Sequence, residues 1–255
     1  MKKIHKLLAF LSQKYYHISE SGFKRTNKLR ISNMKNSEIK GVTQPKTKLG
    51  KSKMDKILKA ARRLFSQNGF YQTSITDICR ESNTAVGTFY IYFDDKTALY
   101  RCLMENVQRE IKDTINEALL KKNCTTRLEK EKEGLRAFVK YGAANQDMFE
   151  ILWGSLTVDK NLFLDYYRSF GSSYIRSLSY DRRELSDYVD VEAAAYMFMG
   201  INSFLALRTM IKPDLSDEEI DHMIDAHVVP ILKSGLFNPD MENEFPTSRT
   251  PLFEN

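Results

Sequence analysis

Thr73-Ser74-Ile75-Thr76-Asp77-Ile78-Cys79-Arg80-Glu81-Ser82-Asn83-Thr84-Ala85-Val86-Gly87-Thr88-Phe89-Tyr90-Ile91-Tyr92-Phe93 is the stretch that decides the fold. Thr73-Ser74, with Thr76 and Asp77 at capping offsets, opens a short helix running to about Arg80-Glu81. Ser82-Asn83-Thr84 is a tight turn, and a second short helix is predicted from about Ala85 to Phe93. Upstream, Ile57, Leu58, Ala61, Leu64 and Phe65 fall on one face of a longer helix. Ser52 with Asp55 reads as its capping box, and Gly69 as its stop. Ile75, Ile78 and Cys79 are placed to face that helix. Two short helices joined by a three-residue turn and packed on a longer one describe a helix-turn-helix.

The second short helix suits a major groove. Val86, Phe89 and Phe93 are expected to anchor it to the core, leaving Thr88, Tyr90, Ile91 and Tyr92 outward. Tyrosine hydroxyls reach phosphates, and Ile touches a thymine methyl. Gly87 lets the helix start approach a phosphate and present backbone N–H groups. Lys96, in the first turn of the next helix, is badly placed for the helix dipole but well placed for a phosphate. Tyr90 is also open to partial burial, because a buried tyrosine keeps a polar tip.

Asp55-Lys56-Ile57-Leu58, Ala61, Leu64-Phe65, Gly69-Phe70, Thr73-Ser74-Ile75, Ile78, Gly87-Thr88-Phe89-Tyr90, Tyr92-Phe93, Lys96 and Leu99 together closely resemble the DNA-binding domain of TetR/AcrR-family repressors. The likeness covers about residues 53–100. It implies that Ser74 or Ile75 begins the supporting helix near the DNA backbone. It further implies DNA contacts from Thr84, Gly87, Thr88, Tyr90, Ile91 and Tyr92, with Lys96 as a phosphate clamp. Three positions depart from the pattern. Asn83 stands where the family carries a turn glycine, a change that Asn tolerates because it adopts left-handed backbone. Ala85-Val86 replaces a Ser-Lys pair, removing two polar contacts. Ile91 sits where a polar or aromatic residue is frequent, so an operator sequence does not transfer from relatives.

The composition is that of an ordinary globular chain, with 42% hydrophobic and 28% charged residues among 255. The net charge of +6 is unevenly spread: residues 1–50 hold twelve Lys/Arg against two Asp/Glu, and residues 101–255 hold 19 against 26. A basic front and an acidic back point to a polyanion partner for the front only. Residues 1–50 are read as a disordered basic extension. They are a solvated tail, or an extension upstream of an alternative start at Met34, in preference to an arm along DNA. The domain organisation expected is 1–50 extension, 51–98 helix-turn-helix, 99–236 helical sensing and dimerisation domain, and 237–255 tail.

The fold class expected is all-α. A fourth helix beginning near Asp94-Asp95 continues to about Lys122, with Leu99, Leu103, Val107, Ile111 and Ile115 at helical spacing. Periodic segments follow at about 126–145, 147–157, 160–178, 190–211 and 216–235, and Ser216 with Glu219 reads as a capping box. The stretch Asp190–Ile201 is similar to the penultimate helix of many such repressors. By that likeness, helices 190–211 and 216–235 pair with their copies in a homodimer, with Ala193, Ala194, Ala195, Gly200 and Ser203 allowing close approach. Phe138, Tyr141, Phe149, Trp153, Tyr166, Phe170 and Tyr174 are either core or the lining of a cavity. The resemblance makes them candidates for binding a small, lipophilic effector.

Other classes find little support. GxGxxG, P-loop and GxSxG motifs are absent, and Gly171-Ser172-Ser173 lacks an esterase elbow's second glycine. Neither a metal nor a cofactor is expected: His222 and His227, five apart, belong on different faces of an acidic helix. Cys79, Cys102 and Cys124 form no CxxC pair and read as reduced thiols. The start has too short an apolar run for a signal peptide, and no stretch approaches a membrane span, so a cytoplasmic protein without a membrane partner is expected. The reading that results is a transcriptional regulator, most simply a repressor that binds a palindromic double-stranded operator as a dimer and is released by a small molecule. The alternative is a DNA-binding protein of the same fold without such a switch.

Overall fold

The computed structural model describes residues 39–234. Most of the expected basic extension, and the tail 237–255, lie outside the described residues. Helix α1 is Lys48–Asn68, five residues longer at its start than a cap at Ser52 suggests. Thr47 explains the difference: its hydroxyl accepts from the Gly50 N–H at 3.0 Å, an N-cap upstream of Ser52. Met54, Ile57, Ala60, Ala61 and Phe65 form its buried face. Gly69, at φ 79°, ends it.

Helix α2 is Ile75–Glu81, started by a reciprocal capping box between Ser74 and Asp77. Asn83 takes the left-handed conformation at φ 50°, so the residue standing for the usual glycine does the same backbone work. Helix α3 is Val86–Tyr92, bounded by Ala85 and Phe93. Helix α4, Lys96–Lys122, starts at Asp95, whose side chain accepts from the Ala98 N–H, and ends at left-handed Asn123. At a rise of about 1.5 Å per residue it is a rod of roughly 40 Å. Leu99, Leu103, Val107 and Ile111 are buried along it.

Helices α5 (Arg127–Ala144), α6 (Asp147–Val158), α7 (Lys160–Tyr180) and α8 (Val191–Ile211) build the body. α5 packs on α4 and α8, and α7 packs on α6 and α8. Ser216 and Glu219 form the anticipated capping box at α9 (Asp217–Met223), which runs through a π turn at Ile224–Val228 into α10 (Val229–Ser234). Pro230 has no N–H to offer an α-helical carbonyl and its ring crowds the preceding turn; the widened turn lies just before it. All regular elements among the described residues are helical.

Helix α6 ties the helix-turn-helix to the body at three heights. Arg62 on α1 forks onto Asp147 at 2.6 and 3.1 Å and also reaches Glu110 at 2.8 Å. The Tyr100 hydroxyl donates to the Ile151 carbonyl, and the Tyr71 hydroxyl to the Thr157 carbonyl at 2.8 Å. Tyr141 completes the upper cluster by donating to Glu110; burial, with the Glu110 carboxylate, pushes its phenol up to about 12.

One expectation fails on length: α8 is long and apolar enough to cross a membrane, by length and composition alone. Only 28% of that stretch is buried. The sequence reading missed it because the run carries Glu192 near its start and Arg208 near its end.

Candidate nucleic-acid interface

Helix α3 rests on Phe89, and Phe93 follows directly; both rings are wholly buried and stand 5.4 Å apart. Two turns of helix leave an outward arc at Val86, Gly87, Tyr90 and Ile91, spaced i, i+1, i+4 and i+5. Tyr90 is 55% and Ile91 60% exposed. A Cβ built on Gly87 meets no atom within 4 Å. Glycine inside a helix costs about 1 kcal/mol against alanine, and nothing within the chain requires it here. An external surface that comes close to the backbone gives it a reason.

Ser74 is exposed and Ile75 half-buried at the start of α2. Ser74 is already engaged as the N-cap, with its hydroxyl 2.6 Å from Asp77 Oδ2. That contact and the Ser74 N–H hold the Asp77 carboxyl below its ordinary range. Thr84 and Thr88 are half-buried at the edge of the arc, with the Thr84 and Ser82 hydroxyls 2.7 Å apart.

Three expectations are corrected. Tyr92, placed outward by the sequence reading, is only 7% exposed. The chain ahead of α1 covers it: the Thr43 N–H donates to the Tyr92 carbonyl at 2.8 Å, and its hydroxyl lies 3.3 Å from where a Gly50 Cβ would be. Val86, assigned to the core, is exposed instead. Lys96, expected as a phosphate clamp, is half-buried, and its ammonium donates to the carbonyls of Phe70 and Thr73 at 2.7 Å each. It also sits 4.3 Å over the Phe70 ring, and burial lowers its proton affinity. Lys96 therefore pins the turn between α1 and α2. Lys96→Ala is expected to lower stability by about 1 kcal/mol, the net worth of hydrogen bonds lost from two part-buried carbonyls. A thermal melt checks this; an unshifted melt combined with a flatter salt dependence of DNA binding would restore the phosphate role.

A basic row that the sequence reading did not single out lies on α1. Lys48, Lys51, Lys56 and Lys59, with Ser52 and Asp55, line an open hollow of about 440 Å³. Lys48 and Lys51 stand in or beside the first turn, where no acidic residue balances the helix dipole.

The seven aromatic candidates of the body differ in their surroundings. Phe138, Phe149 and Tyr166 are buried, while Trp153 is 36% exposed beside Phe149. Tyr141 is engaged by Glu110 and Tyr174 by Glu131; Phe170 packs on Tyr166, with ring centroids 5.5 Å apart. His222 and His227 are also corrected: the π turn brings their rings to 5.9 Å, on one side of a hollow shared with Arg208 and Lys212. A five-residue spacing is one turn of a π-helix, not of an α-helix. Among the described residues no group of three or more His, Cys, Asp or Glu is placed to hold a metal ion. Cys79, Cys102 and Cys124 are free thiols, and burial pushes Cys102 up to about 11.

Comparison with known proteins agrees with this geometry. The family described as "Bacterial regulatory proteins, tetR family" matches residues 57–103. Over 63 residues the chain is 43% identical to the HTH-type transcriptional regulator YvdT of Bacillus subtilis, covering 25% of this chain and 32% of that protein. It is 39% identical over 66 residues to HbdR of Aromatoleum sp., covering 26% and 28%. The matched segment thus spans about a third of these curated relatives. A structure described as a TetR-family transcriptional regulator from Syntrophomonas wolfei is 27% identical, with TM-score 0.62, over 73% of this chain and 97% of that one. The regulator FadR from Bacillus subtilis, solved with stearoyl-CoA, is 18% identical with TM-score 0.57, over 72% and 99%; that likeness is one of fold. Residues 57–103 thus carry the helix-turn-helix domain of the tetR family, on a helical body whose fold is similar to that of TetR-family regulators.

Proposed function

We propose that this protein is a transcriptional repressor that binds a palindromic operator as a homodimer and leaves it when a small lipophilic effector enters the helical body. The observation that carries the reading is the bare arc of α3, where Tyr90 and Ile91 stand in solvent beyond the buried Phe89 and Phe93. Thr84, Gly87 and Thr88 edge that arc, and Ser74 and Ile75 open the supporting helix. The lysine row on α1 supplies cations for the phosphate backbone, taking over the role first given to Lys96. The division of labour proposed is a helix-turn-helix head, through about residue 98, on a sensing and pairing body.

Dimerisation has its own support. Met197, Phe204 and Ile211 recur at seven-residue intervals on α8, and Phe204 and Ile211 are 71% and 77% exposed. Ala193 precedes Met197 and Gly200 lies between Met197 and Phe204 on the same stripe, and a Cβ on Gly200 would meet nothing within 4 Å. Large and small residues alternating along an uncovered stripe suit a second helix packed against it. Phe204→Glu is expected to turn a dimer into a monomer and to weaken operator binding at least tenfold, since one short reading helix gives limited hold. Sedimentation equilibrium checks it, and an unchanged dimer mass would remove α8 from the interface.

That fold neighbours include a FadR solved with stearoyl-CoA supports an apolar effector for this chain too. Release follows if the effector binds better to a state in which the two α3 helices no longer fit successive major grooves. The direct test is a footprint of the full-length protein on its own upstream region. Two protected half-sites about 10 base pairs apart, or a multiple of that, are expected. Featureless protection along the duplex would favour a sequence-independent DNA binder.

A further inference from the structure

Two polar groups on α4 lack the partners that burial demands. The Gln108 amide nitrogen is buried without a hydrogen-bond partner among the described residues. One turn later, Lys112 is half-buried with no ion-pair or hydrogen-bond partner among the described residues, and its ammonium stands 5.3 Å over the Phe170 ring of α7. Burial lowers the proton affinity of Lys112, and the charge of Arg176, also on α7, adds to that. An unsatisfied amide donor and an unpaired, partly desolvated cation are each costly, the charged group more than the neutral one. Elsewhere in the chain partly buried cations are answered: Arg127 of the body by Glu131 and Asp181, and Arg62 of α1 by Asp147 and Glu110. The exception on α4 therefore calls for a ligand.

What the two groups share is chemistry. Both are donors, one carries positive charge, and positions i and i+4 lie on one helix face. Among the described residues no acidic side chain pairs with Lys112. Tyr166, Tyr167 and Phe170 line the facing helix as a run of rings in mutual contact. An acceptor-only anion on an apolar body satisfies both donors and packs against those rings. We propose that the seam between α4 and α7 binds an organic acid of this kind, with its carboxylate between Gln108 and Lys112 and its apolar part against Tyr166 and Phe170. The assignment rests on the small-molecule reading of the body and names the class of molecule it senses.

The test uses the full-length protein with two fluorescent or displaceable carboxylates on different apolar bodies, cis-parinaric acid and 2-naphthoate, each beside its methyl ester. At least one acid is expected to bind ten times more tightly than its ester. Lys112→Met should weaken that acid about tenfold and leave the ester unchanged, Lys112→Arg should restore it, and Gln108→Leu should weaken it severalfold. A thermal melt of each variant separates lost binding from lost folding. Acid and ester binding alike, or a Lys112→Met protein that holds the acid as before, overturns the anion site while leaving an apolar pocket standing. If neither acid nor ester binds, both the anion site and the small-molecule reading fall. DNA binding, measured apart, is untouched by either result.

Discussion

Arg127→Ala is expected to destabilise the protein by about 3–5 kcal/mol, the usual consequence of leaving one half of a buried ion pair alone. The side chains of Arg127 and Glu131 are 7% and 8% exposed, one helical turn apart on α5. The guanidinium bonds Glu131 through Nε and Nη2, and Ser177 and Asp181 through Nη1. The Arg127 N–H donates to Glu184 at 2.6 Å, Tyr174 donates to the second Glu131 oxygen, and Lys130 holds Asp181. Burial works against the Arg127 charge, but Glu131, with Tyr174 and Asp181, offsets it and raises its pKa. The network joins the start of α5 to the end of α7 and the short turn at Arg182–Glu184. Replacing both partners with apolar residues, Arg127→Met with Glu131→Leu, should return much of the loss, because no charge is then left stranded. Urea unfolding of the single and double variants measures both. A single variant as stable as the parent would show the cluster to be solvated and loosely held.

The adjacent tyrosines of α3 should separate cleanly. Tyr92→Ala is expected to cost about 3 kcal/mol of stability, as for a large aromatic removed from a core. Tyr90→Ala should change stability by no more than about 0.5 kcal/mol yet weaken operator binding by about 1–3 kcal/mol, the range for a good base-edge contact. Thermal melts and a titration against the footprinted duplex give the four numbers. If Tyr90→Ala melts early and binds normally, the outward arc of α3 is not the reading surface.

Much of this architecture was legible one helix end at a time. Ser74 with Asp77, Ser216 with Glu219, Asn83 at φ 50° and Gly69 at φ 79° are signals whose partners lie within three or four residues. Local spacing therefore determined where helices begin and end, the order of the helices in the body, and the presence of a helix-turn-helix.

Tertiary contacts decided which way short helices face and which charges are free. Seven residues of α3 give two turns, and periodicity sets the angles between side chains without saying which arc is covered. Thr43–Gly50, some forty residues away in the chain, covers Tyr92 and leaves Val86 out. Lys96 finds its acceptors 23 and 26 residues upstream, and the π turn before Pro230 brings two histidines together that an α-helix would part. Burial and pairing depend on groups distant in sequence, so the spacing of residues along one helix carries no record of them.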